Sequence, residues 1–248
     1  MKPLLPFLLV LLAIIVYSCT RSADSDNDIV TGKETVNNSL INKVQYSNQI
    51  EYGEWHNKAL DLYYKNNPNI TKINFADASI KVANYLNQED SSLFGQVDVK
   101  TLNTRYDDFK QFESLNTKTY ANSLNPEISI LLDYLLMKKG ISQNNYTFLS
   151  EKILQTDDEI ESKLNNIDNY VSTNDLSDID KNQMEVVKSI LISSNIYWSN
   201  STTSAVSKGD PKSRAVLVAD AVGALIWWET GPGSIIGGAV CSLIANEG

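Results

Sequence analysis

One histidine and two cysteines are spread through 248 residues, and these shortages exclude more chemistry than any other feature of the chain. A lone histidine, His56, cannot supply a multi-histidine zinc site, and no HExxH or paired CxxC spacing holds a metal another way. Cys19 and Cys241 build no disulfide framework. Serine nucleophile elbows, phosphate-binding glycine loops and dinucleotide fingerprints are missing as well. Positive charge is scarce: 21 Lys and Arg against 30 Asp and Glu leave a formal charge of −9. A chain this acidic is repelled by phosphate backbones, so nucleic acid is not expected as a partner. Anionic lipid would not attract it electrostatically either. The sequence therefore points to no catalytic residue, no metal and no cofactor.

What the chain does have begins at its start. Lys2 is followed by an apolar run from Leu4 to Val16, broken only by Pro6, and then by Tyr17-Ser18-Cys19. A charge, a short apolar helix and small residues at a cutting site make a secretory signal. The run is shorter than the roughly 20 residues that span a hydrocarbon core. The closing Val16-Tyr17-Ser18-Cys19 resembles the bacterial lipobox, although Tyr17 departs from the usual small or aliphatic residue. That resemblance implies removal of Met1 to Ser18, a signal peptide over 1–18, and palmitate or a similar acyl chain on Cys19. Multiple acyl chains anchor stably, at about 0.8 kcal/mol per buried CH2. The plainer alternative is an ordinary signal peptide with an incidental cysteine. Loss of Lys2 would leave the mature chain one unit more negative.

Residues 19–39 are polar, start acidic (Asp24, Asp26, Asp28) and lack apolar periodicity, which predicts a tether. Those aspartates look like the acidic export signals of Bacteroidota surface lipoproteins. From 40 to 198 the periodicity is helical throughout. Leu40 and Val44 open an amphipathic segment, Trp55, Ala59 and Leu62 another, and Asn66-Asn67-Pro68 stops it. Asn74 is placed to cap a helix with Ala76, Ile80 and Ala83 on one stripe. Asp98 is placed to cap one with Leu102, Tyr106, Phe109 and Phe112 on a face. Pro126 to Lys139, with Asn125 before it and Gly140 after it, is apolar on most faces and is expected to be the core helix. Ser142 to Gln155 groups Tyr146, Leu149 and Ile153. Thr156-Asp157-Asp158-Glu159 has the form of a capping box before a seam of Ile160, Leu164, Ile167 and Val171. Ser177 opens a last long helix burying Val187, Ile190, Leu191, Ser194 and Trp198. The expected fold is all-α, an antiparallel helical bundle or array.

Residues 199–214 are rich in serine and threonine and predict a linker. The tail, 215–248, is different in kind. Two apolar arms flank Glu229-Thr230-Gly231-Pro232-Gly233, a strong turn. Ala215, Ala219 and Gly223 recur every four residues, as do Gly233, Gly237, Cys241 and Ala245. Such a smooth ridge lets helices approach closely, and the spacing predicts a tightly packed helical hairpin, a glycine zipper. Neither arm reaches the length that spans a bilayer, and Asp220 interrupts the first. Trp227-Trp228 suits either a membrane interface or a buried hairpin.

His56, with Asn57 beside it and Asp61 further on, is the candidate polar site. It would serve as a proton shuttle with Glu54 or Asp61, or, more plainly, as a histidine bonding a neighbouring helix or water. Asp157, Asp158, Glu159 and Glu161 lie where a helix dipole favours carboxylates and lack the glycine-centred loop of a calcium site.

Three patches, Gly53-x-x-His56-Asn57-x-x-Leu60-Asp61, Tyr197-Trp198 and Ala219-Asp220-Ala221-Val222-Gly223-Ala224, resemble a group of Bacteroidota lipoproteins. The resemblance implies an exported helical protein with a recurrent His-Asn pair, and no reaction comes with it. The tail is similar in composition to the GxxxG segments of small membrane-active bacteriocins. The expectation is an outer-membrane lipoprotein of the bacterial cell envelope, on its periplasmic or surface face. It is expected to be a non-enzymatic binding or interaction module, with the membrane and a protein partner or a second copy, through 215–248, as partners. The alternatives are a membrane-active protein working through the hairpin and an enzyme using His56.

Overall fold

Several helices in this protein start where a short polar side chain takes over the amides that the first turn leaves unpaired. The computed structural model describes residues 51–69, 72–116, 126–154, 159–200 and 211–247, all within the compact unit Lys43–Gly248. In chain order the helices are α1 (Tyr52–Asn66), α2 (Phe75–Glu89), the single turn α3 (Ser91–Phe94), α4 (Val99–Asn116) and α5 (Pro126–Met137). Then come α6 (Gln143–Phe148), running on as a wider π turn over Leu149–Leu154, α7 (Ile160–Thr173) and α8 (Asp178–Asn200). The tail forms α9 (Pro211–Gly223), a 3-10 stretch (Ala224–Thr230) and α10 (Gly233–Glu247). No strand occurs among the described residues, and the fold is all-α.

The Asn74 carboxamide oxygen accepts the Asp77 amide at 3.1 Å at the head of α2. Asp98 takes the Lys100 amide at 3.0 Å and the Thr101 hydroxyl at 2.7 Å before α4. Ser142 and Ser177 hold the amides of Asn145 and Asp180, both at 3.1 Å, and so start α6 and α8. The box expected at Thr156–Glu159 falls mostly outside the described residues. Glu159 is itself the N-cap of α7, with no side-chain cap bond.

Two expected faces turn out rotated. On α2 the buried stripe is Phe75, Ala78, Ser79, Val82, Ala83 and Leu86, while Ala76 and Ile80 face solvent. On α1 the buried face runs through Tyr52, Gly53, His56, Ala59, Leu60 and Tyr63, with Trp55 and Leu62 at its edges. The buried side of α8 carries Val187, Ile190, Leu191, Ser194 and Trp198 as its periodicity implies.

The middle of the protein is not α5, the helix the apolar pattern put there, but α10. Helix α10 packs against α1, α2, α4, α9 and the 3-10 stretch, and every residue from Gly231 to Val240 is buried. Helix α5 is well buried too, through Ile128, Ile130, Leu131, Leu132, Tyr134 and Leu135, but its neighbours are α4, α6, the π turn and α9. A helix of Gly, Ala and Ser is thin, so neighbours can close on it from several sides. A leucine-rich helix fills its own surroundings.

Small residues set the spacing. A Cβ at Gly237 would overlap the six-membered ring of Trp227, one at Gly238 would lie 3.2 Å from the Ala224 methyl, and one at Gly223 would lie 3.4 Å from Cys241 Cβ. Trp227 is thus seated against Gly237 and stacks on Phe75 at 5.2 Å, which stacks on Tyr106 at 3.9 Å. The Trp227 indole donates to the Leu102 carbonyl at 3.1 Å. Trp228 is buried as well. Arg105 fastens the 3-10 stretch, donating at 3.0 Å both to the Ile226 carbonyl and to Glu229.

Helix α5 ends differently from its sequence pattern. Gly140 was placed to terminate it, but the left-handed position is Lys139, at φ 56°, with Gly140 N–H bonded to the Leu135 carbonyl at 2.8 Å. A left-handed non-glycine residue costs about 1 kcal/mol, part of which glycine returns as unfolded-chain entropy. Lys139→Gly is therefore expected to stabilise the protein by about 0.5 kcal/mol in urea denaturation, and an unchanged or lower midpoint would contradict that account.

Candidate functional site

The site is a seam where α1 and α8 meet the C-terminal hairpin. Gly53 lets α8 come close: a Cβ there would collide with the Ser189 carbonyl and the Ser193 side chain. The Gly53 amide instead donates to Ser189 Oγ at 3.0 Å. One turn on, Asn57 Nδ2 donates to the Ser193 carbonyl at 2.8 Å. With α1 pinned this way, the intervening His56 points into the core and has no solvent exposure.

Near it lies Asp220, from the last turn of α9, also without exposure and close enough for the two charges to act on each other. Trp198 Nε1 donates to Asp220 Oδ2 at 3.2 Å. Ser194 of α8 and Ser242 of α10 flank the same carboxylate and favour its charged form. The Gly238 carbonyl of α10 lies beside the histidine. Four helices thus bring one histidine, one aspartate, two serines and a tryptophan to one point inside the core.

The cluster is under-satisfied. His56 Nε2, Ser194 Oγ, Asp220 Oδ1 and Ser242 Oγ are all buried with no partner of hydrogen-bond geometry. Buried polar atoms are nearly always bonded, and each exception calls for a reason. A second buried network shows the contrast. Asn145 Nδ2 donates to Gln183 at 2.9 Å, Tyr170 donates to Asn145 Oδ1 at 3.1 Å, and Gln183 donates to the Gly140 carbonyl at 2.7 Å. That one closes on itself and serves packing.

Burial dominates the electrostatics of the seam. It pushes the His56 pKa down against the opposing pull of the Asp220 charge, and pushes the Asp220 carboxyl up against the pull of His56 and its hydrogen-bonding neighbours. Cys241, next to them on α10, has its thiol pushed up to about 12 by burial and then by the Asp220 charge.

Serine, histidine and aspartate are the residue types of nucleophilic acyl transfer, yet these have no approach for a substrate. His56, Ser194, Asp220 and Ser242 have no exposed surface. Three surface cavities of about 360, 230 and 380 Å³ are lined by other residues.

Of the residues singled out by sequence, His56 and Asn57 belong to the seam, with Nδ1 and Oδ1 3.3 Å apart. Asp61 does not: it is exposed and acts on Tyr197, whose hydroxyl pKa is raised by burial and then by that charge. Glu54 is exposed and hydrogen-bonded to Glu51. In the ridge, Gly223 faces Cys241, Gly237 seats Trp227 and Gly233 lies against Thr230 and Leu102. Ala219, Cys241 and Ala245 are partly buried against the core, while the side chain of Ala215 lies outside the described set, as does Cys19. Asp157 and Asp158 lie outside it too, and among the described residues no three His, Cys, Asp or Glu converge to hold a metal.

The sequence missed the partner. Asp220 looked like an interruption of an apolar arm, yet one carboxylate inside a helix too apolar to face water is itself a signal of a buried partner. The three patches at 53–61, 197–198 and 219–224 meet in this seam: Trp198 and His56 converge on Asp220, and Asp61 reaches Tyr197. Comparison with protein-family models, with curated proteins and with solved structures returned no match.

Proposed function

We propose that the chain is an exported lipoprotein of the bacterial cell envelope, tied to its membrane by acyl chains on Cys19, with a non-enzymatic helical body that binds another protein. The stretch Leu4–Cys19 carries the reading, because a lipobox-like close after a short apolar run supplies an address and an anchor together. The body is consistent with a carrier of surface contacts. Ile192 and Ile196, one turn apart on α8, are 37% and 54% exposed, beside a groove whose walls include Glu51, Glu54 and Glu185. An apolar pair beside an acidic rim favours a partner with basic and apolar residues.

The membrane-active alternative would need the hairpin to leave the bundle. No helix among the described residues is long and apolar enough to cross a membrane. Extraction would also strip Val216, Leu217, Trp227, Ile235, Ile236 and Leu243 of their packing, at about 1.5–3 kcal/mol for each large side chain. Palmitate labelling of wild type and Cys19→Ala, with protease shaving of intact cells, tests the proposal. Label on wild type alone, with the body retained by the membrane fraction, is expected. Mature protein free in the medium with an unmodified start would overturn it, and dye release from liposomes by the purified full chain would favour the alternative.

A further inference from the structure

The tautomer of His56 is set by its neighbour. Asn57 donates its Nδ2 to the Ser193 carbonyl at 2.8 Å, which leaves Oδ1 as the atom facing His56 Nδ1 at 3.3 Å. An amide oxygen only accepts, so Nδ1 carries a hydrogen. His56 Nε2 is left buried, without a partner of hydrogen-bond geometry, in a core that also holds the unpartnered Oδ1 of Asp220.

Three charge states are open to this pair. With no proton to share, Asp220 is a buried net negative charge. With two, His56 is a buried net positive charge. With one, the net charge is zero, whether the proton sits on Nε2 as imidazolium facing carboxylate or on Asp220 facing neutral imidazole. Net charge in a dry interior is costly, while a neutral or paired arrangement is not.

Among the described residues no other charged side chain acts on the pair. On α1, Lys58 pairs with Glu89 of α2, and Asp61 acts on Tyr197 of α8. Lys81 of α2 turns to Asn67. On α8, Lys188 pairs with Asp168 of α7. The titratable group that α10 brings close is Cys241, a thiol whose pKa burial pushes up, and Lys110 of α4 acts on that thiol.

We propose that His56 and Asp220, buried together in the closed seam, are a built proton-binding pair that carries one proton in total and clasps the C-terminal hairpin to α1 and α8. The hydroxyls of Ser194 and Ser242 serve as the adjustable donors and acceptors around it. The shifts agree in direction: burial lowers His56 from 6.5 and raises Asp220 from 3.8.

The consequence for stability has a definite sign. Between about pH 4 and 6.5 the unfolded chain carries His56 protonated and Asp220 ionised, one proton, as does the folded pair, so the pair adds no pH dependence. Above about 6.5 the unfolded chain holds none and the folded pair one, so stability falls tenfold in the folding constant per pH unit. Below about 4 the unfolded chain holds two, and stability falls on acidification.

Urea denaturation of the mature chain, with Asp220→Asn and His56→Gln for comparison, reads this directly because other groups cancel. Relative to Asp220→Asn, the wild-type folding constant is expected to fall about tenfold from pH 7 to 8. Relative to wild type, His56→Gln is expected to lose about tenfold per unit between pH 4.5 and 6. A purely structural role would leave both ratios flat, and flat ratios overturn the proposal. Should a variant not fold, nitrogen NMR of the wild type decides alone, since its one histidine gives one ring. A protonated Nδ1 and no titration step near pH 6.5 are expected; a neutral Nε2–H tautomer, or an ordinary step, overturns it.

Discussion

Gly237→Ala is expected to destabilise the protein by about 3 kcal/mol, far more than a methyl group usually costs on a helix. In an exposed helix the same change would stabilise by up to about 1 kcal/mol, since alanine is the better helix former. Here the new Cβ would overlap Cε3, Cδ2 and Cζ3 of Trp227, and that indole has nowhere to go. It is fully buried, stacked on Phe75 and hydrogen-bonded to Leu102. Overpacking a rigid core site costs about 1–3 kcal/mol and sometimes more. The cause can be isolated by a double-mutant cycle. Trp227→Ala alone is expected to lose about 3–5 kcal/mol through its cavity, and Gly237→Ala added to it should cost almost nothing further. An additive double variant would mean that the two residues do not press on each other and that the ridge has another purpose.

The seam yields a comparable loss by the opposite route. His56→Leu is expected to cost about 3–5 kcal/mol, because it strands Asp220 in the core without the group that balances it. Asp220→Leu is expected to cost about as much, leaving the Trp198 indole without its acceptor and His56 without the group that balances its charge. The pair His56→Leu with Asp220→Leu should recover most of what either single change loses, since apolar side chains of similar size can replace a buried pair. Unfolding free energies at pH 6 for the four proteins test this. If the double variant is as unstable as the two singles summed, the histidine and aspartate are not coupled, and the cluster is only two separate packing sites.

Much of the frame could be read directly. Asn74, Asp98 and Ser177 start helices where their residue types and spacing put them, and α8 buries the face its periodicity assigns. The tail forms two helical arms about a turn at Gly231, which takes φ 63°. Which face of a short helix is buried proved less legible. On α2 alanines and isoleucine occur on both sides, so Ala76 and Ile80 looked as apolar as Ala78 and Val82 and yet face out. Rotation about a helix axis is decided by what packs opposite, and hydropathy carries no record of that.

The site divides along the same line. His56 and Asn57 stood out because histidine is unique here and because Gly53 leads the patch at helical spacing. Asp61, with the same claim on spacing, points elsewhere.

By itself the sequence determined an all-α body, its helix starts, and a small-residue tail able to pack closely, because these depend on neighbours within a turn or two. Only the tertiary structure decided that this tail is the centre of the protein, and that Asp220, 164 positions along the chain, is buried near enough to His56 for their charges to act on each other. Local rules govern backbone shape. A buried charge is stable only beside its counterpart, and which counterpart that is depends on how the helices stack.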